Sequence, residues 1–365
     1  MKQNSCTKNR FPKSKLLKMN TILSILMVSK KLLSLCIVVF FFFSCQKEEK
    51  DRLFVIQGEA QGSTYAIKYS SSSEVINKQS IDSLLLAFDH SLSTYRTDSK
   101  ISKINLGDST IVVDDFFVET FKTSQKIYQE TNGLFDPTIG VLVNAYGFGP
   151  SQEKIDLNPS KIDSLLQFVG FDKVQLNENG TISKKFRATY FDFNAIAQGY
   201  SVDVVVNFLK SKGIKNGIVE IGGEIFAFGR NNVENKNWIV GIDDPTQKPE
   251  ERTLIAKIKL ENLGMATSGN YRKVKFDSIT GQKYVHIINP KTGLSQKSSM
   301  LSATVLASRC IDADGYATAF MIMDFENIKK MLKDRSDLYV LLIYTDENNT
   351  IQQFKSANFQ SLILE

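Results

Sequence analysis

The stretch "FVIQGEAQGSTYAIKYS", residues 54–70, reads as two strands broken at Gly62. A break of that length returns the chain beside itself, since parallel neighbours need a long crossover. Further along, helical and strand patterns follow without a regular βαβ order. "SIDSLLLAFDHSLSTY" (80–95) is an amphipathic helix with Ser80 or Asp82 near its start. "DDFFVETFKTSQKIYQETNG" (114–133) is a second, closed by Gly133, and "NPSKIDSLLQFVG" (158–170) a third. "KVQLNENGTISKKF" (173–186) is a hairpin turning at Asn179-Gly180. A helix over 195–212 stops at Gly213. "NGIVEIGGEIFAFG" (216–229) reads as a strand with a glycine bulge at Gly222-Gly223. Strands follow near 238–242, 253–260, 283–288 and 300–307, and "LYVLLIYTDENNTIQQFKS" (338–356) closes the chain as a hairpin. The order predicts an α+β, two-lobed fold with largely antiparallel sheets and packed helices. There is no GxGxxG leading from a strand into a helix and no GxxxxGK[ST], so neither dinucleotide nor P-loop phosphate site is signalled.

The chain is 365 residues long and 42% hydrophobic, ample for a sizeable core. Residues 1–44 hold eight Lys and Arg and no acid, so a chain total of +6 leaves −2 for residues 45–365. That part has no basic surplus for nucleic acid. Within "SKKLLSLCIVVFFFFSC" (29–45), two lysines precede an apolar run from Leu32 to Phe43 and then Ser44-Cys45. The run is short for a bilayer span and has the layout of a secretory signal. Its end resembles a bacterial lipoprotein signal, with Cys45 as the lipidated residue. Phe42 and Phe43 stand where Leu and a small residue are usual, and an ordinary signal or an anchor helix also fits. Met27 is an alternative start. The organisation expected is a signal over 1–44, a charged tether over 45–52 and one domain over 53–365. The location expected is the bacterial cell envelope, lipid-anchored and facing the periplasm. Of the four cysteines only Cys310 lies beyond the leader and Cys45, so there is no disulfide framework and no Cys/His zinc pattern.

Four stretches carry candidate chemistry. "RCIDADGYATAFMIMD" (309–324) reads as a buried helix holding Asp314 and Thr318 four residues apart, hence on one face. A carboxylate and a hydroxyl at one point are hard oxygen ligands suited to Mg²⁺. A cap and a back-bonded hydroxyl fit the same spacing. In "YFDFNAIAQGYSVDVVVNFL" (190–209), Asp192 ends an apolar strand, and small residues from Ala195 to Gly199 open a helix where a ligand can approach backbone N–H groups. A cap at Asp192 or Asn194 is the alternative. In "TNGLFDPTIGVLVNAYGFGP" (131–150), Asp136-Pro137-Thr138 reads as a helix start. Tyr146 and Phe148 there suit a flat heteroaromatic ring or ordinary packing. In "MATSGNYRKVK" (265–275) and "KYVHIINPKTG" (283–293), Ser268-Gly269 and Thr292-Gly293 are turn chemistry. A lone strand histidine is more often structural than catalytic, yet His286 is the one histidine beyond the first helix and so the one obvious proton shuttle.

Together with "STYRTDSKISKIN" (93–105) and "VEIGGEIFAFG" (219–229), these segments resemble, in the same order, the motifs of the ApbE family, the FAD:protein FMN transferases. The resemblance implies that FAD is cleaved at its diphosphate and FMN passes to a Thr or Ser hydroxyl of an acceptor flavoprotein, releasing AMP. It implies acceptors such as subunits of Rnf-type complexes or sodium-translocating NADH:quinone reductases. It implies Mg²⁺ on the Ala195 carbonyl, Asp314 and Thr318. FAD contacts fall on Gln61, Tyr146, Gly147, Phe148, Asp192, Gln198 and the backbone near Ile288, with His286 as an acid/base. The family usually has Lys where Gln198 stands, which removes a cation near the phosphates and leaves Mg²⁺ or a base such as Arg272 or Lys273 to serve. It commonly has Trp where Tyr146 stands. A Mg²⁺-dependent FAD pyrophosphatase and a non-catalytic flavin-binding lipoprotein are the rival readings.

Overall fold

β1 (Arg52–Ala60) turns through Gln61-Gly62 into β2 (Ser63–Ser71), with φ of 55° and 71° at the two turn residues. Two successive left-handed residues are what a tight hairpin needs to match strand twist. The structure is a computed structural model and describes residues 50–150, 157–247, 251–269, 274–276, 283–285, 287–295 and 299–364. Residues 51–365 form one compact unit.

After β2 come α1 (Lys78–Leu92), α2 (Lys100–Asn105), α3 (Asp115–Glu130), α4 (Gly140–Ala145) and α5 (Pro159–Leu166). The hairpin β3 (Val174–Leu176) and β4 (Ile182–Lys184) follows, then α6 (Ala197–Ser211). Next are β5 (Asn216–Ile221), β6 (Glu224–Phe228), β7 (Trp238–Asp243), β8 (Leu254–Leu260) and β9 (Leu263–Gly269). β10 (Val274–Phe276), β11 (Lys283–Val285) and β12 (Met300–Ala307) lead to α7 (Cys310–Phe320) and α8 (Phe325–Leu332). β13 (Tyr339–Thr345) and β14 (Ile351–Lys355) follow, and a 3-10 turn (Phe359–Leu362) ends the order.

Eight strands make one sheet in the order β1-β2-β5-β6-β9-β12-β13-β14, and every pairing is antiparallel. The antiparallel α+β reading is therefore right. The glycine-bulge expectation is not: Gly222 and Gly223, at φ 62° and 108°, are the whole turn of a hairpin in which Ile221 faces Glu224. Consecutive glycines at positive φ reverse a chain. Ser268 and Gly269 likewise lie within β9, opposite Ala303 and Ser302, instead of in a turn. Gly293 does turn, at φ 69°.

The central strands are apolar on both sides because both sides are covered. On β12 and β13, Ala303, Val305, Val340 and Leu342 pack under α7, against Ile311, Tyr316 and Phe320. The alternate residues Leu306, Leu341 and Ile343 pack on Trp238, Val240 and Phe359. α7 is buried nearly all round, which is why its sequence shows no polar face.

Five of the helices, α1, α2, α3, α5 and α8, start at a side-chain cap, at positions partly different from those expected. Asn77, not Ser80 or Asp82, caps α1, with Ser80 N–H donating to its Oδ1 at 2.8 Å. Asp82 instead accepts from Lys78 and the Tyr65 hydroxyl. Asp136 accepts from the N–H and hydroxyl of Thr138 at 2.8 and 2.6 Å, a turn that precedes α4 without starting it.

Candidate active site

Neither α6 nor α7 has a side-chain cap of its own. The residue before α6 is Ile196 and the residue before α7 is Arg309, and neither offers a side-chain acceptor to its own helix. Each helix finds one on the other. Gly199 N–H, in the first turn of α6, donates to Asp314 Oδ2 at 2.9 Å. Cys310 and Ile311 N–H, at the start of α7, donate to Asp203 Oδ1 and Oδ2 at 2.8 and 2.9 Å. Asp314 thus sits buried with one carboxylate oxygen on the positive end of α6.

Around it are further oxygens. Thr318 Oγ1 lies 3.4 Å from the Ala195 carbonyl oxygen and 3.3 Å from Ser268 Oγ. The Thr318–Ala195 contact is long for a hydroxyl hydrogen bond, so neither oxygen is firmly committed to the other. One carboxylate, one carbonyl and hydroxyls form a hard donor set of the kind Mg²⁺ takes alongside water and phosphate oxygens. Among the described residues no group of three or more His, Cys, Asp or Glu gathers in a way that could hold a metal ion.

The small residues that open α6 serve helix packing. A Cβ on Gly199 would lie 2.5 Å from the Cys310 carbonyl oxygen and 2.6 Å from Asp314 Cβ, so α6 crosses α7 at that point only as glycine. Close approach there is to α7, where the sequence suggested a ligand. Asp192 and Asn194 do not cap α6: Asp192 Oδ1 accepts the Asn194 N–H at 2.8 Å, ahead of the residue Ile196 that precedes the helix.

Gln61 reaches the same end of α6 from the β1–β2 turn. Ser201 Oγ donates to Gln61 Oε1 at 3.1 Å and to the Gln198 carbonyl at 2.7 Å. The Gln198 side chain lies against Gly222, where a Cβ would come within 1.8 Å of its Nε2. The β5–β6 turn therefore demands glycine twice, for its positive φ and for the room Gln198 takes. Asp89 stands beside Gln61; burial raises its carboxyl, while the charges of Arg96 and His90 and the Gln61 amide pull it back.

The aromatic loop is tied down from both sides. Tyr146 is buried with Leu142, Val169 and Ile288. Its hydroxyl donates to the Gly293 carbonyl at 3.0 Å and accepts the Ser295 N–H at 3.2 Å. Gly147 follows at φ 73°, and the Phe148 carbonyl accepts from the Tyr95 hydroxyl at 3.1 Å. Behind Asp192, the rings of Phe191 and Phe193 pack edge-on against Phe117 of α3 at 6.0 and 5.3 Å. Successive residues of an extended segment face opposite ways, so anchoring both neighbours turns Asp192 the other way.

The sequence matches the ApbE family over residues 61–342. The chain belongs to the ApbE family. It is 34% identical over 344 residues to the FAD:protein FMN transferase of Haemophilus influenzae, covering 90% of this chain and 97% of that one. It is 32% identical over 316 residues to the FAD:protein FMN transferase of Vibrio cholerae, covering 84% and 92%. The flavin transferase ApbE structure from Vibrio cholerae aligns with a TM-score of 0.75 at 30% identity, over 86% of this chain and 100% of that one. The apo flavinyl transferase ApbE of Pseudomonas stutzeri aligns at 0.74 and 27% identity, over 86% and 97%.

In this ApbE-family chain, Ala195, Asp314 and Thr318 come together, and Gln61 and Gln198 meet the same helix end. Tyr146, Phe148 and Ile288 belong to a separate apolar cluster, with Gly147 between the two aromatic residues. His286, Arg272, Lys273 and Cys45 lie outside the described residues. Sequence reasoning missed Ser201, Asp203 and Asp89. Each is a polar residue on an apolar helix face, a signal of the kind that singled out Asp314.

Proposed function

We propose that the chain transfers FMN from FAD to a Thr or Ser hydroxyl of an acceptor flavoprotein. The observation that carries this reading is the match, over 97% of its length, to an FAD:protein FMN transferase. The acceptor oxygen forms a bond to the FMN phosphorus, the bond from that phosphorus to the bridging oxygen breaks, and AMP leaves with that oxygen. The acceptor hydroxyl gives up its proton. The Ala195 carbonyl, Asp314 and Thr318 would hold a Mg²⁺ ion, which would supply charge neutralisation at the diphosphate. The chain's part is positioning. Asp314 and Thr318 present oxygens from one face of a buried helix, so they do not move independently. The Gly199 N–H in the first turn of α6 fixes the Asp314 carboxylate. His286 is the proposed acid/base.

The same reading includes lipidation at Cys45, anchoring in the cell envelope with the domain facing the periplasm, and acceptors of the Rnf or sodium-pumping reductase kind. The lipidation and envelope parts rest on the charged-then-apolar segment 29–45, and the acceptor class rests on the family resemblance. Incubation with FAD, Mg²⁺ and a candidate acceptor tests it. Flavin fluorescence that stays with the denatured acceptor is the result expected. Free FMN without labelled acceptor points to a pyrophosphatase, and unchanged FAD to a binding protein; either overturns the proposal.

A further inference from the structure

We propose that Asp203 is a positioning residue for the cation site, acting on Asp314 through a reciprocal clamp between α6 and α7. This rests on the Mg²⁺ reading above. The clamp is a closed ring. Gly199 N–H holds Asp314, one helical turn separates Asp314 from Cys310, Cys310 and Ile311 N–H hold Asp203, and one turn leads from Asp203 back to Gly199. Each helix carries its acceptor four residues after the N–H group it offers. Neither helix has another side-chain cap to fall back on. Arg309, the residue before α7, is a cation paired with Asp312 and Glu119 and has no acceptor to give the helix N–H groups from its side chain.

The ring has no slack. Gly199 has no Cβ because Cys310 and Asp314 occupy that space, so the helices cannot slide together, and the two carboxylates keep them from drifting apart. Asp203 does not reach the cation ligands themselves. It holds the first turn of α7, and that turn sets the direction in which Asp314 and Thr318 leave the helix. Partners behind a metal ligand typically contribute a 10–100-fold factor to metal affinity. Asp203 stands in that relation to Asp314 through the helix backbone.

The test uses Asp203→Asn, which keeps the shape but turns an NH₂ group toward one of the two N–H groups. Cation affinity is measured by Mn²⁺ titration calorimetry with FAD present, beside turnover at saturating Mg²⁺. The expected result is a Kd raised about tenfold or more with kcat within about threefold of the unmutated chain. An unchanged Kd overturns the inference, as does a loss confined to kcat. Absence of cation binding by the unmutated chain overturns the site reading, and the inference falls with it. A second measurement needs no variant. Adding Mg²⁺ and FAD to the unmutated chain slows amide exchange at Cys310 and Ile311 about tenfold more than at Leu341 and Leu342 of β13. Equal slowing at both places means that the clamp does not feel the cation, and overturns the proposal.

Discussion

The side-chain amide of Asn105 and the backbone of Phe191 exchange two hydrogen bonds, Nδ2–H to the Phe191 carbonyl at 2.9 Å and Phe191 N–H to Oδ1 at 2.8 Å. Asn105 ends α2 and Phe191 precedes Asp192, so one amide side chain acts as a strand partner for the segment that carries a site residue. Replacing Asn105 with Ala leaves two buried backbone groups unpaired. Each costs about 1–3 kcal/mol, so urea denaturation should show a loss of that order or somewhat more, with FAD binding weakened alongside. Stability within 0.5 kcal/mol of the unmutated chain, in the ~±0.5 range of neutral surface changes, would mean that water replaces the amide.

Asp314→Ala should abolish turnover, because it removes the one charged group of the proposed Mg²⁺ site. Thr318→Val is the milder change. It deletes a hydroxyl at 3.4 Å from the Ala195 carbonyl and keeps the shape of the side chain. Its Mg²⁺ requirement should rise about tenfold with kcat partly recovered at high Mg²⁺. Full activity of Asp314→Ala at low Mg²⁺ in a titration of turnover would refute the site.

Tyr146→Phe isolates the hydroxyl that joins the aromatic loop to the Gly293–Ser295 turn. The ring stays in its apolar pocket, so the fold should hold. Losing both neutral hydrogen bonds of that hydroxyl costs about 1–3 kcal/mol of loop order. Fluorescence titration should then show FAD binding weakened about tenfold, since 1.4 kcal/mol is one factor of ten. Unaltered FAD affinity would place this loop outside the flavin site.

Two buried carboxyls make stability fall as pH rises. Burial pushes Asp136 up to about 6 and Asp203 up to about 7 from 3.8, against the hydrogen bonds each accepts. A folded-state value above the unfolded one means that the native chain prefers the proton. The contribution is complete below 3.8 and is lost as pH passes through about 6 for Asp136 and about 7 for Asp203. Asp136→Asn retains an oxygen for Thr138 and has no charge to bury. The variant should gain on the unmutated chain between about pH 4 and pH 7, by about 1–3 kcal/mol in urea midpoints converted to free energy. A constant difference across that range would show that Asp136 titrates normally.

Much of the fold was legible along the chain. Asn132-Gly133 ends α3 with φ of 52° and 75°, and Gly180 and Gly213 turn at 77° and 84°, all where glycine punctuates the pattern. The double glycine at 222–223 was misread because a bulge and a turn ask for the same residue. Only the pairing of Ile221 with Glu224 separates them. Ser268-Gly269 was misread for the opposite reason: small polar residues look like a turn, yet β12 and β6 hold β9 as a strand. The Asp314–Thr318 pair was visible because helix periodicity alone puts both on one face.

The sequence by itself determined the local elements, the antiparallel character of the sheet and the family motifs, because these depend on neighbours a few residues apart. The partners of Asp314 were decided only by tertiary structure. Gly199 lies 115 positions away, and Asp203 lies 107 from Cys310. A helix end with no acceptor of its own takes whatever carboxylate folding brings to it, and no local spacing records which one that is.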